Sequence, residues 1–211
     1  MDYEFKVIGP FRLHAENNMF ESPLAELSGI YLWAIKVDDR YYIHYIGETG
    51  LSFKQRMKEH LIQLMGGNYR IPDPNDLRNG RETILWNGLW RKKERDKINE
   101  FIDQYESLAI KIKEYLQMLE IFLIPMFAEE RTRKLIEGNV AAYVRAQPEQ
   151  ISCLLPNDIR YFSKKKDNEK SFLVRFDCEV RILGFPETIY IDEAQEKTLF
   201  TLNSIKSYES T

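Results

Sequence analysis

The sequence predicts an α+β protein with strands towards both ends of the chain and helices in the middle. Aromatic and β-branched residues dominate two runs between residues 28 and 46. Apolar residues recur at helical spacing between 90 and 147, and they alternate with mostly polar residues between 172 and 182. At 211 residues and 44% hydrophobic, the chain can bury a full core and still carry a smaller unit. We expect one unit over residues 1–150 and a β-rich C-terminal appendage over 151–211.

The first predicted element is a β-hairpin. Its strands are the run Ser28 to Val37 and the run Tyr41 to Ile46, which share aromatic and β-branched character. The polar residues Asp38-Asp39-Arg40 separate them, as expected for a hairpin turn. After the hairpin, Ser52 can cap a helix, because apolar residues follow it with a 3.6-residue period until Gly66-Gly67. That helix should have one buried stripe.

A loop and long helices are predicted for the middle of the chain. Residues 68–81 are rich in Pro, Gly and Asx residues, which are typical of a loop, and residues 82–86 fit a third strand. From about Trp90 to Ile124 the apolar positions keep helical spacing, so one long helix or two abutting helices are expected there. Pro125 would end them. A further helix is predicted from about Glu129 to Gln147.

The predicted appendage consists mainly of strands. Residues 172–182 alternate apolar and polar side chains, as in a half-buried strand. Gly184-Phe185-Pro186 would turn the chain, so that Thr188 to Ile191 can pair with this strand. The early segment Tyr3 to Val7 is a candidate to share their sheet.

Charge and hydropathy narrow the classes of protein to which the chain can belong. A net charge of -3 argues mildly against a protein that coats nucleic acid, because such binding depends on Lys and Arg. Cations nevertheless outnumber acids between Lys54 and Lys97, which fits either a local positive surface or a solvated face. No stretch approaches the roughly 18 to 20 apolar residues of a membrane span, and no signal peptide is evident. We expect a cytoplasmic protein with no membrane partner and leave its oligomeric state open.

Two tyrosines on the predicted hairpin are the first candidates for chemistry. Tyr31 lies in the first strand and Tyr45 closes the second. On adjacent antiparallel strands two such side chains can point from one face, and their hydroxyls donate, accept or pass a proton. Taken singly, each tyrosine is more readily explained as a core residue.

Arg56 and His60 are the second pair of candidates. They lie four residues apart on the predicted helix and therefore on one face of it. An arginine can hold a phosphate by two parallel hydrogen bonds and stabilise the charge that develops on it. A histidine there could pass on a proton or hold a tyrosine hydroxyl. An isolated pair with this spacing is ordinarily part of an exposed helix face.

Glu137 is the fifth candidate. It stands among apolar residues, where an ionised carboxylate is costly unless a cation or hydrogen-bond donors meet it. Gly138 beside it weakens a helix by about 1 kcal/mol relative to Ala, which suggests a close approach to the backbone. The plainer interpretation places Glu137 at the edge of the helix. Glu120, between Leu119 and Ile121, is a rival carboxylate in a similar setting.

The ordered set of these residues resembles the GIY-YIG nuclease family. The set comprises Gly29-Ile30-Tyr31, thirteen intervening residues, Tyr45-Ile46-Gly47, then Arg56 and, one helical turn later, His60. The resemblance covers roughly residues 28–147 and is strongest over 28–64. It implies a small three-stranded antiparallel sheet flanked by helices, which would leave the later helices as an insertion.

The resemblance also implies roles for the candidate residues. A distal glutamate in that family holds a single divalent metal, so Glu137, ahead of Glu120, would bind Mg²⁺ or Mn²⁺. Arg56 would hold the scissile phosphate. A tyrosine of the pair, assisted by His60 and the metal, would activate the water, and either tyrosine can be the base. One departure is Glu48, since some members of the family have a lysine immediately after the second triplet.

Three functions follow from these observations. The leading hypothesis is a Mg²⁺-dependent endonuclease that hydrolyses phosphodiester bonds in DNA by a one-metal mechanism, with RNA not excluded as a substrate. The second is a catalytically inactive nucleic-acid-binding module on the same fold, suggested by Glu48 and the acidic balance. The third is a protein-interaction domain that uses the long helix and the C-terminal strands. Fold alone does not decide among them.

Overall fold

The computed structural model describes residues 2–91, 93–157, 159–161, 164–166 and 168–192. The end of the predicted appendage, after residue 192, lies outside the described residues.

Nine β-strands and five α-helices are found in the part of the chain that the structure describes. The strands are β1 Tyr3–Phe11, β2 Gly29–Val37, β3 Arg40–Thr49, β4 Ile71–Pro72, β5 Ile84–Trp86, β6 Leu119–Pro125, β7 Phe172–Cys178, β8 Ile182–Leu183 and β9 Thr188–Ile191. The helices are α1 Phe53–Met65, α2 Pro74–Arg78, α3 Ile98–Met118, α4 Glu130–Arg145 and α5 Glu149–Ser152. Two short 3₁₀ helices, Met19–Glu21 and Pro23–Glu26, precede β2.

The main sheet has seven strands in the order β8-β3-β2-β6-β1-β7-β9 and is curled and mixed. The expected three-stranded antiparallel sheet is therefore wrong, although the protein is α+β. Strands β3, β2 and β6 are antiparallel neighbours, but β1 extends the sheet beside β6, and β7 pairs with β1 in parallel. These partners are distant along the chain, so no local sequence signal fixes the order of the strands. The segment 82–86 contains a strand, but β5 pairs with β4 in a separate two-stranded sheet.

Strand β6 corrects the predicted long helix. Helix α3 ends at Met118, and the following residues Leu119–Pro125 form a strand between β2 and β1. All of them except Pro125 are buried. A short run that is apolar except for Glu120 fits either the end of a helix or a strand covered on both faces, because its spacing does not distinguish the two. In this protein the pairing with β2 and β1 makes these residues a strand.

The local elements around the predicted site are confirmed. Strands β2 and β3 form the hairpin, and the Ser52 side chain accepts a hydrogen bond from the Gln55 backbone N–H at the start of α1. Helix α1 ends before Gly66, and α4 occupies most of the predicted range 129–147. Strand β7 pairs with both β9 and β1, as the sequence suggested.

The two faces of the sheet pack against different helices. Alternate residues of β2, beginning with Ile30, belong to a core that includes the apolar side of α4. The intervening residues, beginning with Tyr31, pack with Phe53 and Met57 of α1 and with Tyr115 of α3. The side chain of Tyr31 is thereby placed beneath α1. No helix among the described residues is long and apolar enough to cross a bilayer.

Candidate active site

Tyr31 and Tyr45 lie on the face of the sheet that α1 covers. Across the hairpin Tyr31 pairs with Gly47, and Trp33 pairs with Tyr45, so the two tyrosines are diagonal neighbours. Their ring centroids are 6.0 Å apart. The register shifts after Trp33, which leaves His44 as the extra residue of a β-bulge. Such a bulge increases the local twist and redirects neighbouring side chains, here beside Tyr45.

Both glycines of the two triplets are required by close packing. A Cβ at Gly47 would lie 2.3 Å from the hydroxyl of Tyr31, so a larger residue would displace that ring. A Cβ at Gly29 would lie 2.2 Å from the backbone oxygen of Ile124 in β6. The triplets therefore position Tyr31 through backbone packing as well as through hydrogen bonds.

The hydroxyl of Tyr31 connects the two residues of α1. It lies 2.6 Å from Nε2 of His60, and Nε of Arg56 donates to it over 3.3 Å. Burial lowers the pKa of His60 to about 3, and the charge of Arg56 contributes, so the imidazole is neutral. Since Arg56 can only donate, we assign the Tyr31 proton to the bond with His60 Nε2. Burial, assisted by Tyr45, raises the pKa of Tyr31 well above its usual value.

His60 is enclosed by aromatic rings. It is 3% exposed, and its ring centroid lies 4.9 Å from that of Trp33 and 5.6 Å from those of Tyr45 and Tyr69. Its Nδ1 is buried and has no hydrogen-bond partner among the described residues. A neutral imidazole that accepts at Nε2 carries its proton at Nδ1, so this atom is an unsatisfied donor.

Glu137 reaches the same group from the opposite face of the sheet. Strand β8 pairs with β3 only at Tyr41 and Tyr42 in the described structure, which leaves the other end of β3 as an open edge. At that edge the backbone N–H of Glu48 donates to the Glu137 carboxylate. Burial raises the pKa of Glu137 to about 7, and the negative charge of Glu48 adds to the effect.

Electrostatic interactions join Glu137 to the residues beneath α1. The pKa of Tyr45 is raised first by burial and then by the Glu137 charge, whereas the Arg56 charge acts on Glu137 in the opposite direction. Tyr31, Tyr45, Arg56, His60 and Glu137 thus form one interacting group drawn from β2, β3, α1 and α4. Their chemical roles remain predictions.

Arg133 is a member of this region that the sequence interpretation missed. Its Nε donates to Glu48 over 3.0 Å, and the two side chains are only 10% and 14% exposed. The sequence contained an indication that Arg133 lies near Glu137, because its spacing places it on the same helical face as Ile136, Glu137 and Val140. A buried arginine requires an anionic partner, and Glu48 supplies it.

Glu120, the rival carboxylate, lies in the centre of the sheet. It is paired with Ala34 of β2 and bound by Arg12 at 3.3 Å. The ion pair with Arg12 accounts for the burial of the Glu120 carboxylate, so no metal ion is needed to explain it.

The residue that would hold a divalent ion at the open edge is Glu137. No group of three or more His, Cys, Asp or Glu side chains that could hold a metal occurs among the described residues. Mg²⁺ does not require such a group, because it usually keeps several waters and binds one or two carboxylates together with substrate phosphate. The ionised form of Glu137 is disfavoured by burial and by Glu48, and a nearby cation would offset both effects.

A cleft of about 310 Å³ adjoins the tyrosines and was not predicted. Tyr45 and His60 contribute to its wall, together with Tyr69, Asn68 and Trp90 from the segment after α1. Two members of the interacting group, Tyr45 and His60, therefore line the cleft.

Comparisons of this chain with protein-family models, curated proteins and solved structures give no match. The resemblance to GIY-YIG nucleases therefore depends on the residues and their arrangement.

Proposed function

We propose that this protein is a GIY-YIG-type endonuclease that hydrolyses phosphodiester bonds in DNA and depends on Mg²⁺ or Mn²⁺. The observation that carries the proposal is the Tyr31 hydroxyl, which interacts simultaneously with the neutral His60 and the cationic Arg56. A core tyrosine needs only one hydrogen-bond partner. A tyrosine held between a cation and a proton acceptor is suited to proton transfer beside an anionic substrate. A cytoplasmic location is part of this proposal.

Arg56 binds the scissile phosphate in this mechanism. Its side chain is 33% exposed, and it uses Nε for Tyr31 and Nη1 for Glu59. The guanidinium stays charged at every relevant pH and can stabilise negative charge that accumulates on the phosphate oxygens.

The tyrosines and His60 form the route for the proton. Tyr45 is partly exposed and lines the cleft, whereas Tyr31 is fully buried, so an attacking water meets Tyr45 first. As the water proton moves to Tyr45, the Tyr45 proton passes to Tyr31 and the Tyr31 proton passes to His60 Nε2. The hydrogen-bond contact between the two tyrosine side chains provides the path that this relay requires. Phosphate bound to Arg56 would offset one cause of the low pKa of His60 and so make it a better acceptor.

Glu137 would hold the divalent ion, which when bound supplies positive charge to stabilise the leaving oxygen. The backbone N–H of Glu48 orients the Glu137 carboxylate at the open edge of β3. The pair Glu48 and Arg133 fixes the position of that backbone, because each side chain is held by the other.

The alternative function is an inactive nucleic-acid-binding module on this fold. The observation that favours it is Glu48, whose negative charge lies close enough to Glu137 to raise the pKa of that carboxyl group. This alternative predicts salt-dependent binding of DNA without cleavage.

A plasmid-nicking assay distinguishes the two functions. Supercoiled plasmid is incubated with the protein and Mg²⁺ or Mn²⁺, with EDTA as the metal-free control and an RNA of similar length as a second substrate. Nicking by the parent and its loss in Arg56→Ala and in Glu137→Ala are expected. Glu106→Ala, which changes an exposed glutamate on α3, should cut like the parent. Binding without nicking favours the inactive module, and full activity in either of the first two variants refutes the assigned roles.

A further inference from the structure

The cleft beside Tyr45 and His60 has the character of a binding site. Its volume is about 310 Å³, within the lower end of the range typical of small-molecule sites. His60 lines it with an unsatisfied buried Nδ1 among the described residues, and an unsatisfied buried donor costs about 1–3 kcal/mol unless a ligand or water meets it.

Aromatic faces form much of the wall. Trp90 is 60% exposed at the cleft, although a large indole is costly to leave in water, and it packs edge-on against Tyr69 with centroids 5.4 Å apart. Tyr69 in turn contacts His60. The backbone holds Trp90 in place, because its N–H donates to the Asn68 carbonyl over 3.3 Å. The backbone position of Trp90 is therefore fixed, and more than half of its surface remains open to a ligand.

Amide groups supply part of the polar wall, which also contains Arg70, Glu82 and Arg91. Asn68 and Asn87 both line the cleft; Asn68 Nδ2 already donates to Gln63 over 2.8 Å, whereas Asn87 is exposed and is the amide better placed to meet a ligand. An amide side chain presents a donor and an acceptor side by side, which matches the edge of a nucleobase. Aromatic faces for stacking combined with amide groups for edge recognition are features of pockets that hold an unpaired base.

We propose that this cleft binds a single unstacked nucleobase of the strand that is cut, next to the phosphate held by Arg56. The inference rests on the proposed nuclease function and adds the substrate class to it: single-stranded DNA, or duplex DNA with an unpaired base. The cleft shares Tyr45 and His60 with the interacting group, and Arg56 precedes His60 by one turn of α1, which supports placing the base near the scissile phosphate. The base stacks on Trp90.

Energetics favour substrates whose base is already unpaired. Extruding a paired base costs a few kcal/mol, and the cost is smallest for mismatched or single-stranded positions. We expect affinity to decrease from single strands to mismatched duplexes to matched duplexes. Stacking on one aromatic ring corresponds to between about fivefold and about a hundredfold in affinity.

A binding experiment without divalent ions tests the pocket independently of catalysis. The affinity of the protein for a fluorescent single-stranded DNA decamer is measured in EDTA by anisotropy. A decamer in which all ten residues are abasic is the comparison, because it keeps every phosphate and offers no base to the cleft. The parent should bind the base-bearing decamer at least about fivefold more tightly. Equal affinity for the two decamers would overturn the proposal.

Three variants test whether Trp90 is responsible for the preference for the base-bearing decamer. Trp90→Ala should lose the preference for the base-bearing decamer and keep its affinity for the abasic one, whereas Trp90→Phe should retain most of the preference because it keeps an aromatic face. Tyr190→Ala removes another exposed aromatic side chain, outside the cleft, and should behave like the parent. An unchanged preference in Trp90→Ala contradicts the assignment. If Trp90→Ala misfolds, loss of the preference in Trp90→Phe contradicts it instead.

Tryptophan fluorescence provides a second readout. Trp33 and Trp86 are 5% and 4% exposed, so Trp90 is the tryptophan most accessible to a stacking base. The base-bearing decamer should quench the emission of the parent, and Trp90→Phe should show little quenching. Nicking by a parent protein that has no base preference would refute the pocket alone. A base preference in a protein that never nicks would refute the nuclease proposal alone.

Discussion

Replacing Glu137 by glutamine should change how stability depends on pH. Burial and the Glu48 charge raise the pKa of Glu137 from its ordinary value of 4.5 to about 7. Between these pH values the folded protein keeps a proton that the unfolded chain has lost. The free energy of unfolding therefore falls as the pH rises through this window and becomes level above about pH 7.

The magnitude follows from the difference in pKa. A rise from 4.5 to about 7 corresponds to roughly 3 kcal/mol at most, and partial exposure of Glu137 reduces the expected effect to about 1–3 kcal/mol. Glutamine has a similar shape and does not titrate. Glu137→Gln should match the parent near pH 4.5 and should exceed its stability by that amount at pH 8.

Urea unfolding in EDTA at pH 5, 6, 7 and 8 measures the difference. Comparing parent and variant at each pH cancels the contribution of every other titrating group, provided the sites are independent. Glu106→Gln, an exposed position on α3, is the control and should show no trend with pH. A constant difference between parent and Glu137→Gln from pH 5 to pH 8 would mean that Glu137 is not a buried, repelled carboxylate.

Three further substitutions test the geometry around Tyr31. Tyr31→Phe should lower the rate of DNA cleavage by about 10²–10⁴-fold, and it should cost about 1–3 kcal/mol in urea unfolding because His60 loses its hydrogen bond. Gly47→Ala should destabilise the protein by about 1–3 kcal/mol and reduce cleavage, because the new Cβ displaces the Tyr31 ring. A variant that unfolds thermally at the same temperature as the parent would contradict the close packing of Gly47 against Tyr31. Arg133→Met should lower the free energy of unfolding in urea at pH 8 by about 3–5 kcal/mol, because Glu48 is left buried without its cation. A decrease below about 1 kcal/mol would show that water reaches the ion pair.

The sequence was sufficient for elements defined by local signals. The hairpin of β2 and β3 follows from two aromatic runs around a polar turn, and α1 follows from its Ser52 cap and apolar period. Because α1 comes directly after β3 and packs on the hairpin, the proximity of Arg56 and His60 to Tyr31 could also be anticipated.

Elements that depend on distant partners were predicted only in part: the sequence suggested that β1 and β7 share a sheet, but it did not indicate the order of the strands. Strand β6 has no period of its own, since both of its faces are covered, and its type is decided by β2 and β1. The parallel pairing of β1 with β7 joins segments from opposite ends of the described chain. The same limitation applies to the site. The charge of Glu137 acts on the pKa of Tyr45 only because α4 packs on β3, and the ion pair of Arg133 with Glu48 depends on the same packing.

The most direct measurement of the central claim is a crystal structure with Mn²⁺, whose anomalous scattering locates the ion. The nuclease hypothesis predicts a peak bonded to the Glu137 carboxylate, on the side that faces Tyr45 and Arg56, and its disappearance in Glu137→Ala. A peak held by other residues, or no peak at saturating Mn²⁺ while Glu137 keeps the geometry described above, would contradict it.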